Sequence, residues 1–216
     1  MKTLSIASAA FALFATSNAV AGPAGGGKCA PNHNGKKVCF LDIAAGGPGC
    51  PQGSYSTLLT ATKPGGPIDF FEVIYDDFSV EKYEGSRAKE ARKHCTVAVD
   101  MFIPQGWQFS LVDVHYEGFA DIQRGSMGTL NTSYFFPQHS NRVSTSKRLR
   151  GPFVGDYNKE DTIGIFSKVW SPCGLKIPLN MKSTLHVRGR GDAFMTVDQQ
   201  TGKLTQKWGF SWRKCN

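Results

Sequence analysis

The sequence predicts an all-β fold: a disulfide-stabilised antiparallel β-sandwich with a jelly-roll-like pattern of short strands. Three observations carry this. Apolar and polar residues alternate with period two in several short runs, as in Cys95, Val97, Val99, Met101 and Ile103 against Thr96, Ala98 and Asp100. Glycine (24) and phenylalanine (15) are abundant in the 216 residues while long helix-forming runs are absent. Turn residues recur between the runs, giving about ten strand candidates and no internal repeat.

The chain opens with Met1-Lys2, an apolar run from Leu4 to Ala15, and Ala19-Val20-Ala21. A positive start, a short apolar core and a small-x-small site mark a secretory signal peptide cleaved after Ala21. No later run reaches the roughly 18 apolar residues of a membrane span, so the protein is not expected to be transmembrane. Residues 22–48 read as a flexible Gly/Pro-rich leader carrying a local Cys29–Cys39 loop, and 49–216 as a single β-sandwich domain. In an oxidising compartment an even cysteine count reads as disulfides. The six cysteines leave several pairings open; the expected set is Cys29–Cys39, Cys50–Cys95 and Cys173–Cys215, the two long loops contributing about 3–4 kcal/mol each. No pair has the C-x-x-C spacing of a zinc site, so no metal is expected.

Ser54–Thr62 and Ile68–Phe78 read as strands. The polar stretch 81–94 reads as a surface loop with one helical turn. From Trp107, Phe109 and Leu111 the apolar phase flips to Val112, Val114 and Tyr116, the mark of a bulge or of a strand passing between sheets. Residues 131–136 and 142–149 are shorter strands, and 151–156 a turn-rich loop. Leu175, Ile177, Leu179, Met181, Leu185 and Val187 share a face, with Pro178 arguing for an edge or a bulge. Leu204, Trp208, Phe210 and Trp212 form the last apolar face. Trp170-Ser171-Pro172-Cys173-Gly174 reads as a structural knot, with Trp170 beside the Cys173–Cys215 bridge near Trp208 or Trp212.

Several motifs occur together: Asp76-Asp77-Phe78, Arg92-Lys93-His94-Cys95, Pro104-Gln105-Gly106-Trp107, Tyr116-Glu117-Gly118-Phe119, Gly151-Pro152-Phe153, Trp170-Ser171-Pro172-Cys173-Gly174 and Trp212-Arg213-Lys214-Cys215. In this order they resemble the domain-of-unknown-function family 4360, secreted proteins of fungi and bacteria, from about Gly49 to Cys215. The resemblance implies a small secreted domain whose shared cysteines match Cys50, Cys95, Cys173 and Cys215, with the Cys29–Cys39 insert as an addition. It brings no catalytic residue.

The candidate chemistry is sparse. Asp113, His115 and Glu117 fall on one strand face, an acid–imidazole–acid set suited to acid–base or hydrolytic work; a solvated face explains the same alternation. Asp76-Asp77 lacks the spacing of a calcium loop, and there is no G-x-S-x-G or H-E-x-x-H. The formal net charge of +8 suits an anionic partner. Lys147, Arg148 and Arg150 form one basic cluster. Lys176, Lys182, His186 and Arg188 form a stripe, and Lys203, Lys207 and Arg213 another. Nucleic acid is not expected, because no exposed aromatics flank these groups. Arg190-Gly191-Asp192 spells an adhesion tripeptide that a glycine turn also explains. Asn131-Thr132-Ser133 is an N-glycosylation sequon in a host that glycosylates. The expectation is a monomeric, extracellular, non-enzymatic protein without cofactor that binds anionic polysaccharide, cell wall or another anionic surface. A secreted hydrolase, or a protein-binding effector or structural protein, is the alternative.

Overall fold

Period-two alternation resolves into two sheets whose apolar faces meet. The computed structural model describes residues 28–31, 35–61, 68–86, 90–137, 142–162, 170–174, 176–197 and 204–215. Sheet I is ordered β1 (Lys28–Pro31), β2 (Lys37–Gly46), β6 (Glu90–Phe102), β11 (Leu179–Gly189), β8 (Ser126–Phe135) and β9 (Arg142–Arg150). Sheet II contains β3 (Tyr55–Ala61), β4 (Ile68–Tyr75), β13 (Leu204–Lys214), β7 (Trp107–Ile122), β12 (Ala193–Thr196) and β5 (Ser79–Lys82), with β10 (Phe153–Thr162) paired to β7. All pairings are antiparallel. The protein is therefore a disulfide-stabilised antiparallel β-sandwich; among the described residues neither sheet closes into a barrel.

The core follows the alternation. Val97, Val99, Met101, Leu130, Tyr134, Leu179, Met181, Leu185 and Val187 point inward from sheet I. Val73, Tyr75, Phe109, Tyr116, Ile122 and Met195 answer from sheet II. At about 25 cal/mol per Å2 of apolar surface removed from water, this interface is the main favourable contribution to folding. Within it the Tyr75 hydroxyl of sheet II is hydrogen-bonded to the Ser183 side chain of sheet I. Burial pushes the Tyr75 phenol well above the ordinary tyrosine range, and the Ser183 bond offsets part of that.

Three disulfides staple this core: Cys29–Cys39, Cys50–Cys95 and Cys173–Cys215, the set expected from the sequence. Cys29 and Cys39 stand directly opposite each other in the β1–β2 pair, with Cα atoms 4.0 Å apart. Cys50–Cys95 is fully buried and pins the crossing from sheet I to sheet II against β6. Gly49 is required there: a Cβ would lie 2.3 Å from the Phe78 ring.

Several local expectations change. Residues 37–46, expected within a flexible leader, form β2, because Val38, Cys39 and Phe40 are buried against the core. The helical turn expected over 81–94 is not found among the described residues; they supply the end of β5 and the start of β6. The loop expected over 151–156 overlaps β10, whose polar sequence suits a strand paired along one edge only. Pro178 marks neither an edge nor a bulge. It immediately precedes β11, a central strand, where its missing N–H leaves the ladder intact. The phase flip in β7 is a bulge: Trp208 pairs with Val114 but Phe210 with Leu111, so β7 carries an extra residue. Inward positions accordingly change from Trp107 and Phe109 to Tyr116, Ala120 and Ile122. The signal peptide expected over 1–21 lies outside the described residues.

The knot closes an open edge. A strand has two edges, and the registers assign them: β13 and β12 lie end to end along one edge of β7, and β10 covers the other from Ile122 to Asp113. Beyond that point Trp170–Gly174 takes over. Ser171 N–H donates to Phe109 O at 2.8 Å, Phe109 N–H to Ser171 Oγ at 3.1 Å, and Gly174 N–H to Trp107 O at 3.1 Å. Gln108 Nε2 donates to Ser171 O at 2.7 Å, and its Oε1 accepts from Arg213 Nε at 3.1 Å. The Arg213 guanidinium lies 4.1 Å over the Trp170 ring. Neighbours in a strand point oppositely, so Trp212 turns inward to Phe109 while Arg213 meets Trp170 on the other face. Trp170 therefore takes Arg213 as its partner rather than Trp212; the Trp208 side chain lies outside the described residues.

Ser171→Ala deprives the buried Phe109 N–H of its acceptor, and the expected loss of stability is about 1–3 kcal/mol by denaturant melt. Tyr75 gives a pH signature. Its folded-state pKa is raised, so its contribution is fully present below the unfolded value of about 10 and is lost as pH rises above it, where the unfolded chain binds fewer protons. Melting temperatures above pH about 10 should therefore fall more steeply for the wild type than for Tyr75→Phe.

Candidate functional site

Register decides which charged residues share a surface. On the outer face of sheet I, Arg92 (β6), His186 (β11), Thr129 (β8) and Arg148 (β9) stand in one cross-strand row. The next row towards the end of the sheet is Glu90, Arg188, Met127 and Arg150. Lys182 lies two rows the other way, between Thr96 and Ser133. Arg92, Arg148, Arg150 and Arg188 are exposed. Their inward neighbours Ala91, Leu149 and Val187 pack on or in the core, which is why the sequence alternates here. Arg150 and Arg188 flank a concavity of about 360 Å3, with Met127 between them.

Not every basic residue singled out in the sequence joins this face. Lys147 stands opposite the buried Leu130 and points to the other side of β9 from Arg148 and Arg150. Lys176 is at the far end of the sheet, 3.7 Å from Asp100. Lys207 belongs to sheet II, opposite His115 and Glu72. Lys203 lies outside the described residues. Arg213 serves the knot. Conversely, Arg92 and Met127 belong to the basic face, although the stripes read within single strands omit both; their place depends on pairing between strands distant in sequence.

The acid–imidazole–acid set sits on sheet II. His115 and Glu117 are half-buried on its outer face, and Asn158 Nδ2 donates to Glu117 Oε1 at 3.2 Å. Asp113 is paired with Thr162 beside the β7 bulge, and its side chain lies outside the described residues. Around them the outer face carries Glu81, Asp121 and Asp156, beside the half-buried Phe119 and Phe194. Asp76 and Asp77 form the exposed β4–β5 turn beside a cleft of about 170 Å3, and the Ser79 hydroxyl donates to Asp77 Oδ1 at 2.7 Å. Among the described residues no group of three His, Cys, Asp or Glu is arranged to hold a metal ion, and no helix is long and apolar enough to cross a membrane.

The adhesion tripeptide is a corner between the sheets. Arg190–Asp192 links β11 to β12, and the Asp192 carboxylate accepts from the Glu84 N–H and, at 3.2 Å, from Gln123 Nε2. Gly191 O accepts from Ser126 Oγ at 2.7 Å and from the buried Lys82 Nζ at 3.4 Å. Asn131 is exposed in the middle of the basic face, one row from Arg92 and Arg148, with Ser133 on the same side.

The fold and surface define a disulfide-held β-sandwich with an arginine cluster on the outer face of sheet I. Residues 36–215 match the family described as Domain of unknown function (DUF4360), and the chain belongs to it. The match begins before the expected boundary near Gly49 and takes in β2. An uncharacterized secreted protein of Arthroderma benhamiae is 30% identical over 196 residues, spanning 89% of this chain and 77% of the relative. Among solved structures, TmCBM61 in complex with beta-1,4-galactotriose aligns at 14% identity and a TM-score of 0.29, covering 82% of this chain and 90% of that one. The enzymatically active domain of bacteriophage CBA120 tailspike protein 4 aligns at 13% identity and a TM-score of 0.26, over 78% of this chain and 19% of that one.

Because the Asp192 carboxylate accepts from the exposed Glu84 N–H and Gln123 Nε2, Asp192→Ala should lower stability by about 0.5–1.5 kcal/mol, read by thermal melting. Integrin-dependent cell attachment to a coated surface should be the same for both forms.

Proposed function

We propose that this protein is a secreted, non-enzymatic binding protein that attaches to anionic extracellular polysaccharide through the outer face of sheet I. Secretion is supported by the leader pattern of residues 1–21, by three disulfides and by the secreted relative. The observation that carries the ligand class is the cross-strand convergence of Arg92, Arg148, Arg150 and Arg188.

Glu90, Asp42 and Asp100 occupy outward register positions on the β2–β6 side of sheet I, whereas towards β9 its exposed charges are Arg148, Arg150 and Arg188, and Glu81, Glu117, Asp121 and Asp156 lie on sheet II. Such a field concentrates a polyanion at one surface and raises its association rate. All four of the converging cations are arginines, which suits oxyanion recognition through paired N–H groups.

Co-sedimentation with anionic and neutral polysaccharides over a salt series tests this. The anionic polymers should be retained, with retention falling as salt screens the exposed charges. The triple variant Arg148→Glu, Arg150→Glu, Arg188→Glu should bind at least about tenfold more weakly, a change of about 1.4 kcal/mol. Absence of wild-type binding at physiological ionic strength, or unchanged binding by the triple variant, overturns the proposal.

A further inference from the structure

We infer that the concavity between Arg150 and Arg188 is a subsite for a uronate, a sugar ring bearing a carboxylate, within the polysaccharide proposed above. The inference rests on that reading and adds a chemical class. Arg188 is the penultimate residue of β11, Met127 lies in β8 and Arg150 ends β9, and the three share one register row on the outer face. Two interstrand spacings place the Cα atoms of the arginines about 10 Å apart. The half-buried Met127 forms the floor between them.

The backbone beneath this mouth is closely packed. Gly151 and Gly189 line it, and neither position admits a side chain. A Cβ at Gly151 would lie 2.0 Å from Gln123 O, and one at Gly189 would lie 2.3 Å from Ser126 Cα. Gly189 also has φ +134°, which L side chains avoid. The result is a rigidly held apolar floor with a guanidinium on each side.

A pyranose matches this arrangement. Its C–H face lies on an apolar floor such as the Met127 thioether, while a carboxylate at its edge takes two parallel N–H bonds from a planar guanidinium. A bare sulfate or phosphate would use the cations and leave the floor idle. In the adjacent row Arg148, His186 and Arg92 continue the cationic track, so neighbouring uronates of one chain meet further positive groups. Arg188 is register-paired with Met127 of β8 on one side and with Glu90 of β6 on the other.

The test separates the carboxylate fork from charge alone. Binding of an oligogalacturonate and of dextran sulfate is measured calorimetrically for the wild type, Arg150→Lys and Arg188→Lys. The reference protein and both lysine variants are compared in an Asn131→Gln background, so that no glycan covers the face. Lysine keeps the charge and loses the fork. The expected result is about tenfold weaker oligogalacturonate binding by each lysine variant and a clearly smaller loss on dextran sulfate, whose sulfates meet the cations without a ring seated on the Met127 floor to fix the fork. Equal oligogalacturonate binding by the lysine variants overturns the subsite while leaving the proposed function standing. Equal losses on both ligands also overturn it, because the arginines would then not discriminate carboxylate. No wild-type binding to either ligand overturns both readings.

Discussion

Strand β7 has sixteen residues and two edges, and every backbone donor and acceptor along both must find a partner. One edge is shared by β13 and β12, and the other belongs to β10 only as far as Asp113. The remainder falls to Ser171 and Gly174, which are not part of a regular strand. An unpaired buried N–H at Phe109 costs about 1–3 kcal/mol, a large share of a typical domain stability. The Cys173–Cys215 bridge holds this short segment against the end of β13, where Cys215 N–H donates to Gly106 O at 2.8 Å. Disulfide, hydrogen bonds and the Trp170–Arg213 contact thus converge on one requirement: completing the edge of the longest strand.

The same strand explains how the two halves of sheet II come to share one core. Its bulge switches the inward phase between Phe109 and Tyr116. Without the extra residue, one half would turn its aromatic side chains to solvent, because a one-residue slip exchanges the faces of a strand. The bulge therefore sets the outward position of His115 and Glu117 as well. Their shared face follows from the need to bury Tyr116, and the Asn158 bond to Glu117 ties that face to β10. Packing accounts for the pattern without assigning it chemistry.

Much of the architecture was legible because burial imposes periodicity. The β6, β11 and β13 runs, the β7 phase change and the cysteine order all report local constraints that one sequence displays. Edge strands were the weak point. β10 carries Gly155, Asp156, Asn158, Lys159, Glu160 and Asp161, since a strand paired on one side has little apolar surface to bury. β2 was obscured by the glycine-rich sequence that follows Ala45, although Val38 and Phe40 fix it to the core. The binding face was half legible. Arg148, Arg150 and Arg188 could be named from the sequence, but their adjacency depends on β8 lying between β9 and β11. Lys147 illustrates the converse: adjacent in sequence to Arg148, it is separated from it by the alternation of the strand.

The position of the arginines on the fold bears on how well they can recognise a ligand. Arg188 and Arg150 stand at strand ends where four segments meet. Ser126 Oγ donates to Gly191 O at 2.7 Å, Gly151 N–H to Ser126 O at 3.1 Å, and Arg190 N–H to Gly125 O at 3.3 Å. Gln123 and Asp192 brace the neighbouring turn. The corner that carries the adhesion-like tripeptide is therefore what fixes the backbone beneath the concavity. A site on braced strand ends loses little backbone freedom on binding, and only the exposed guanidinium arms need ordering. The resemblance of Arg190-Gly191-Asp192 to an adhesion signal and the geometry of the basic mouth thus have one physical origin, the tight glycine corner through which the chain passes from one sheet to the other.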